Sequence, residues 1–287
     1  MPTLKQIRRR INSTKSTQKI TRAMKLVAGA KLRRAQMNRE KAMPYAKRLV
    51  DLIYDLSRHC EREAHPLLAV RDEKRVLLIV VTSDRGLCGA FNANINRAAE
   101  RFLRENKDKD VRLALIGKKG RDYFRRRNYP IAGEYMGILA EPSLDRVAEV
   151  GREVIAHYVD EGLDACYIVY NEFKSAVAQQ VVIEKLLPIV PEGEEDESAK
   201  RFAEFEYEPS RDAILNVILP MYVNVRLWFA VLESLAAEMA ARMNAMENAT
   251  KNAEELIRLL TLQYNKARQA AITKEMLEIV SGAEAMK

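Results

Sequence analysis

The 287-residue sequence predicts an α/β chain: a long antiparallel coiled coil of N- and C-terminal helices with an inserted Rossmann-like α/β domain. Three observations carry this expectation. Both ends are almost without helix breakers: Thr3 to Met43 hold no proline and one glycine, Gly29, and after Pro220 the only glycine is Gly282. The middle holds short, β-branched, continuously apolar runs separated by helical patterns. Length decides how the ends are arranged. About sixty helical residues span roughly 90 Å, whereas a compact chain of this size is roughly 50 Å across. The C-terminal helix cannot fit inside such a body, and its natural partner is the other long helix.

The N-terminal helix is expected over 1–58. Its apolar residues fall at Leu4, Ile7 and Ile11, then Ile20, Met24 and Val27, with Leu32 and Ala35 beyond. These are steps of three and four around a polar gap, a thin helical stripe. Pro44 is expected to interrupt or kink it before YAKRLVDLIYDLSRHC resumes a fuller amphipathic helix.

The inserted domain is expected over 74–208. RVLLIVVTSD (75–84), VRLALIG (111–117), DACYIVY (164–170) and QQVVIEKLLPIV (179–190) read as strands. FNANINRAAERFLREN, KKGRDYFRRR and PSLDRVAEVGREVIAHYVDEG read as the helices between them. Buried strands alternating with helices predict an open, mostly parallel sheet. The acidic loop PEGEEDES follows, and then the alternating FAEFEY, an expected edge strand.

The C-terminal helix is expected over 211–286, rich in the strong helix formers Ala, Leu, Met and Glu. Stepping four and three from Leu235 gives Met239, Arg242, Met246, Ala249, Ala253, Leu256 and Leu260, then Gln263, Ala267, Ala270, Lys274 and Leu277. This is a coiled-coil seam whose side chains shrink towards the C-terminus.

Net charge is +8, but its distribution says more. Residues 1–48 carry fifteen Lys and Arg against one acid, Glu40, while residues 192–208 carry eight acids and two bases. The stretch STKSTQKITRAMKLVAGAKLRRAQ (13–36) holds seven cations and no acid. Unscreened cations repel along a helix, so an anionic partner is expected. Nucleic acid is one class, which would make the chain an RNA-binding protein with a basic helical-hairpin arm. The arm's only aromatic residue, Tyr45, gives no support for base stacking. An acidic protein surface is the other class.

Enzymatic chemistry finds little support. Cys60, Cys88 and Cys166 form no CxxC pair and suit a reduced compartment. His59, His65 and His157 form no ligand array. The loop TSDRGLCGAFN (82–92) sits where a strand hands over to a helix, the position of a pyrophosphate cradle in dinucleotide-binding folds. Its Gly86–Gly89 spacing is neither GxGxxG nor GxxxxGK[ST], and IGKKG (116–120) fails the same test. A stand-alone nucleotide-binding enzyme is therefore disfavoured. A structural turn with Asp84 and Arg85 in its own polar network, or a protein contact, accounts better for the loop. Cys88 reads as a small residue packed at a helix start rather than a reactive thiol. No secretory signal is present, and the longest apolar runs, such as VLLIVV (76–81), are too short to cross a bilayer, so a soluble chain is expected.

The segments INSTKSTQKITRAMKLVAGAKLRRAQ, TSDRGLCGAFN, VYNEFKS (169–175) and ARMNAMENATKNAEELI with YNKARQAAITKEMLEIVSGA closely resemble the gamma subunit of F-type ATP synthases. They cover both termini and the middle, in order. The resemblance implies a non-catalytic rotor shaft with no cofactor, metal or catalytic residue of its own. Its partners would be the alpha and beta subunits of an alpha3beta3 ring, the epsilon subunit and the c-ring, with no nucleic acid. Membrane association would come only through the complex, at the cytoplasmic face of a bacterial cell membrane; the short N-terminus favours a bacterial protein over a mitochondrial precursor. The family's contacts carry over to Arg268, Gln269 and Thr273 for the catch loop of beta. Met24, Lys25, Arg33, Arg34, Arg85 and Cys88 carry over for the acidic lever loop of beta, and Tyr207 and Glu208 for the foot that meets the c-ring and epsilon. The long cysteine-bearing insertion of the chloroplast type is missing. An alanine-rich tip would suit a shaft that turns in a sleeve with little adhesion.

Overall fold

The computed structural model describes residues 3–58, 65–190 and 210–284. The elements are α1 (Leu4–Arg58), β1 (Arg75–Val81), α2 (Phe91–Glu105), β2 (Asp110–Ile116), α3 (Lys118–Arg125), β3 (Ile131–Tyr135), α4 (Leu144–Asp160), β4 (Ala165–Phe173), β5 (Gln179–Leu187) and α5 (Arg211–Glu284). The chain divides into two compact units, one of Met1–Gly29 with Arg242–Lys287 and one of Ala30–Ala241.

The larger unit is built on a five-stranded sheet ordered β3-β2-β1-β4-β5. All neighbours are parallel except β4 and β5, which pair antiparallel. Helices cover both faces, and that is why the central strands read as unbroken apolar runs rather than as alternation. Val76 to Val81 are all fully buried. Leu77, Ile79 and Val81 face a core shared with Val147, Val150 and Val154 of α4, Leu49 and Ile53 of α1, and Leu219, Val223 and Leu227 of α5. The buried residues of α2, such as Ile95, Ala99 and Leu103, lie outside that core and belong to the opposite face. Gly151 brings α4 very close to α5: a Cβ there would stand 1.9 Å from Asn224 Oδ1.

Two features of this unit differ from expectation. β3 has no counterpart in the sequence reading. IAGEY is short, contains a glycine and buries neither face fully, so it lacks both strand signatures. Of the two effects expected of Pro44, interruption does not occur: α1 runs on through it as a continuous helix. Pro44 is exposed, so the carbonyl of Glu40, which loses its helical partner, is open to water.

In the smaller unit the two helical segments run in opposite directions. Thr21 meets Thr250 and Lys25 meets Glu247, while Gly29 faces Met243. The residues of α1 withdrawn from solvent include Ile7, Ile11, Thr14, Gln18, Thr21, Lys25 and Ala28, in steps of four and three, with Leu4, Met24 and Gly29 half-buried beside them. The expected stripe is thus corrected: Ile20 and Val27 point outward, 60% and 57% exposed. The seam passes straight through the polar gap, because the heptad step set by Ile7 and Ile11 lands on Thr14, Gln18 and Thr21. On α5 the withdrawn positions include Met246, Thr250, Ala253, Ile257, Leu260, Tyr264, Ala267 and Ala271, with Arg242 and Ala249 half-buried as well. They share Arg242, Met246, Ala249, Ala253, Leu260 and Ala267 with the sequence reading. From Leu256 the alternate positions lie one residue later, with Ile257, Tyr264 and Ala271 inward and Leu256, Gln263 and Ala270 outward.

By length and composition alone, α5 over Ala213–Ser281 is long and apolar enough to cross a membrane, in contrast to the short runs read from the sequence. Between Leu215 and Val231 that apolarity is spent inside the core: Leu215, Leu219, Val223, Leu227 and Val231 are buried in the sheet-bearing unit.

Candidate functional site

β1 stands where the strand order reverses, between β2 and β4, the position at which open α/β sheets ordinarily take a ligand. Here the loop leaving β1 is tied down by its own groups. Thr82 Oγ1 donates to Ile116 O at 3.0 Å and accepts from Gly120 N at 2.8 Å. Asp84 Oδ1 accepts from Lys118 N at 3.1 Å and Gly137 N at 3.2 Å. A carboxylate of the protein therefore occupies the start of α3, where a phosphate would otherwise be favoured. Gly117, at φ +92°, lets the two loops touch; a Cβ there would fall 2.0 Å from Thr82 O. The network includes Asp84, whereas Arg85 contributes its carbonyl, which accepts from Ser83 Oγ at 2.6 Å. The Arg85 side chain is exposed.

Cys88 is 2% exposed and packs beside Ser83 and Asn92, whose Nδ2 donates to Cys88 Sγ at 3.2 Å. Only the exposed Arg85 presents this loop's side-chain charge to a partner. Cys166 is also buried, and burial pushes its thiol pKa up, which disfavours the reactive thiolate.

In the smaller unit Met24 and Lys25 are half-buried. Lys25 Nζ lies 3.2 Å from Glu247 Oε2, and Lys251 Nζ 3.4 Å from Glu247 Oε1. The hydrogen bond from Lys25 is the main cause holding the Glu247 carboxyl below the ordinary range, followed by the charge of the same lysine. Lys25 is thus drawn partly into the seam. Arg268, Gln269 and Thr273 are all exposed, and Thr273 Oγ1 donates back to Gln269 O at 3.0 Å. Arg268 lies about 30 Å of helix away from Glu247, so the two groups of expected contacts form separate places on this unit. Arg33 and Arg34 belong to the larger unit and are exposed. Among the described residues, Lys15, Lys19 and Arg22 of the smaller unit form no ion pair, and neither do Lys31, Arg33 and Arg34 of the larger one, so each unit presents an exposed cationic surface on its part of α1.

Sequence reasoning missed the apolar part of that surface. Leu26, 69% exposed, stands outward beside Ile20 and Val27, off the heptad step that marks the seam. The C-terminal stretch of α5 exposes Ile272, Met276, Leu277, Ile279 and Val280. This corrects the picture of a uniformly small-residue tip: alanines surround the seam near 267–271, and large apolar side chains stand outward immediately after. Exposed apolar surface of this extent marks a protein contact. Among the described residues no cluster of His, Cys, Asp or Glu is arranged to hold a metal. Tyr207, Glu208, the FAEFEY segment, the acidic loop and Cys60 lie outside the described residues.

Comparison with known proteins places these surfaces in context. The sequence profile of the ATP synthase family matches residues 3–286. The chain is 46% identical to the ATP synthase gamma chain of Sorangium cellulosum (strain So ce56) and 50% identical to that of Anaeromyxobacter dehalogenans (strain 2CP-C), each over the whole of both chains. A chain from the central stalk and c-ring structure of Tetrahymena thermophila mitochondrial ATP synthase superposes with a TM-score of 0.63 at 25% identity, covering 80% of this chain and 99% of that one. A chain of the Euglena gracilis mitochondrial ATP synthase shares the fold at a TM-score of 0.68 and 22% identity, over 99% and 94% of the two chains.

Proposed function

The chain belongs to the ATP synthase gamma chain family, and from that membership we propose that it is the rotor shaft of an F-type enzyme. Residues 1–58 and 211–286 form an antiparallel coiled-coil shaft, and 74–208 a Rossmann-like foot. Ion flow through the c-ring turns the foot, which is held against the ring and epsilon. The asymmetric shaft then drives the beta subunits through their nucleotide-binding states, each angle stabilising a different set of conformations. The chain performs no chemistry itself, and its place at the cytoplasmic face of a bacterial membrane comes through the complex.

The observation that carries this reading is the outward face of the smaller unit. Arg268, Gln269, Ile272 and Met276 are exposed on one helix, uncovered among the described residues. A surrounding sleeve would bury the apolar groups and engage the polar ones, and acidic loops on beta would meet the cations of Arg33, Arg34 and Arg85. No observation favours RNA as the anionic partner.

Reconstitution tests the proposal. The chain should co-assemble with alpha and beta subunits into a complex whose ATP hydrolysis requires it. A chain that does not assemble, or an alpha–beta preparation equally active without it, would overturn the reading.

A further inference from the structure

The β1–β4 ladder ends at Val80↔Val169, but β4 continues to Phe173. Past that end, the N–H groups of Asn171 and Phe173, two residues apart, point to the same edge of the strand. Neither is left bare. Asn171 N donates to Ser234 Oγ at 3.3 Å, and Phe173 N donates to Glu233 Oε2 at 2.9 Å. Two adjacent side chains of α5 therefore continue the ladder where β1 stops.

Glu233 is 1% exposed, and its other carboxylate oxygen pairs with Arg39 Nε of α1. Asn171 Nδ2 reaches Phe91 O at the start of α2, 3.5 Å away. One buried polar cluster thus ties the sheet to both long helices. Nearer the start of α5, Arg226 Nη2 also pairs with Glu184 Oε2 of β5 at 2.6 Å, on a part-exposed edge of the sheet, and the buried apolar contact between α5 and the sheet has no preferred direction. Bonds to a buried carboxylate are directional and charge-assisted, and they resist sliding of one element along another.

We infer that Glu233, braced by Arg39 and seconded by the neighbouring Ser234–Asn171 bond, is the positioning residue that locks both shaft helices to the sheet of the foot, so that torque applied to the foot reaches the shaft without slip. This rests on the rotor reading above.

The test uses the complete complex in inverted membrane vesicles, comparing ATP hydrolysis with ATP-driven ion pumping. In Glu233→Gln a carbonyl still accepts from Phe173 N, but nothing balances the Arg39 charge. Pumping per ATP hydrolysed should fall about threefold or more while hydrolysis changes less than about twofold. The double variant Arg39→Gln/Glu233→Gln, which removes the unbalanced charge, should recover part of the loss. An unchanged pumping ratio overturns the inference. So does loss of both activities in equal proportion, or failure to assemble, since either makes the pair a folding element only. Wild-type complex that hydrolyses ATP without pumping would instead strike the rotor reading, and the two failures are told apart by that control.

Discussion

Thr21 and Thr250 meet hydroxyl to hydroxyl, 2.8 Å apart, in a seam where a coiled coil ordinarily holds two apolar side chains. Each hydroxyl also reaches a carbonyl on its own helix, Gln18 O at 3.1 Å and Met246 O at 2.7 Å. A polar pair at one seam position selects register, because a slipped alignment would leave a hydroxyl against apolar groups. Thr250→Val should lower the stability of the chain by about 1 kcal/mol, and the double variant Thr21→Val/Thr250→Val by less than the single one. Urea denaturation of the three proteins measures both.

Gly151 occupies the closest approach of α4 to α5. Gly151→Ala would put a methyl carbon 1.9 Å from Asn224 Oδ1, and it should cost about 1–3 kcal/mol. Thermal unfolding of the single variant against Gly151→Ala/Asn224→Ala checks the cause, since the second change removes the obstructing atom and should return part of the loss.

The crevice at the end of β1 is closed by Asp84, so the chain alone should bind no ATP in equilibrium dialysis at millimolar nucleotide. Asp84→Ala strips the acceptor from Lys118 N and Gly137 N and should destabilise by about 1–3 kcal/mol, read by the same thermal assay.

Glu73 gives a pH dependence. Partial burial alone would raise its carboxyl pKa, but hydrogen bonds from Lys185, Lys109 and Tyr167 outweigh burial and hold it at about 2. The folded value lies below the ordinary 4.5, so the stabilisation is full above pH 4.5 and is lost as pH falls towards 2. The stability gap between wild type and Glu73→Gln should therefore be constant from neutrality to about pH 5 and shrink below it. A gap that widens on acidification would contradict the assignment.

Arg268 and Gln269 are exposed and make no side-chain bond among the described residues. Arg268→Ala and Gln269→Ala should change chain stability by less than about 0.5 kcal/mol, yet lower ATP hydrolysis of the assembled complex several-fold. Equal effects on the two quantities would place these residues in the fold rather than at a partner.

The parts that were legible in the sequence are those governed by local composition. β1, β2 and β4 announced themselves because both of their faces are buried, and the long helices because nothing breaks them. β3 escaped because an edge strand with a glycine has neither alternation nor an apolar run. The seam was misplaced at alternate positions from Leu256 onward because Leu256 and Ile257, like Gln263 and Tyr264, fit the same spacing within one residue. The loop network was out of reach for another reason: Asp84 meets Lys118 and Gly137, partners that only the crossover brings near. Glu233 gave one faint signal: with Glu238 it is one of two acids inside the largely apolar WFAVLESLAAEMAA (228–241), where a solvated face would have been the ordinary reading.

The outward Leu26, Val27, Ile272 and Ile279 also bear on how a cell must handle this chain. On the proposed rotor reading, a chain made alone would display adhesive surface with no sleeve to cover it, and surplus copies would self-associate or be taken by chaperones and proteases. On that reading its synthesis has to keep stoichiometric step with the subunits that would enclose it, so dosage as well as sequence comes under constraint.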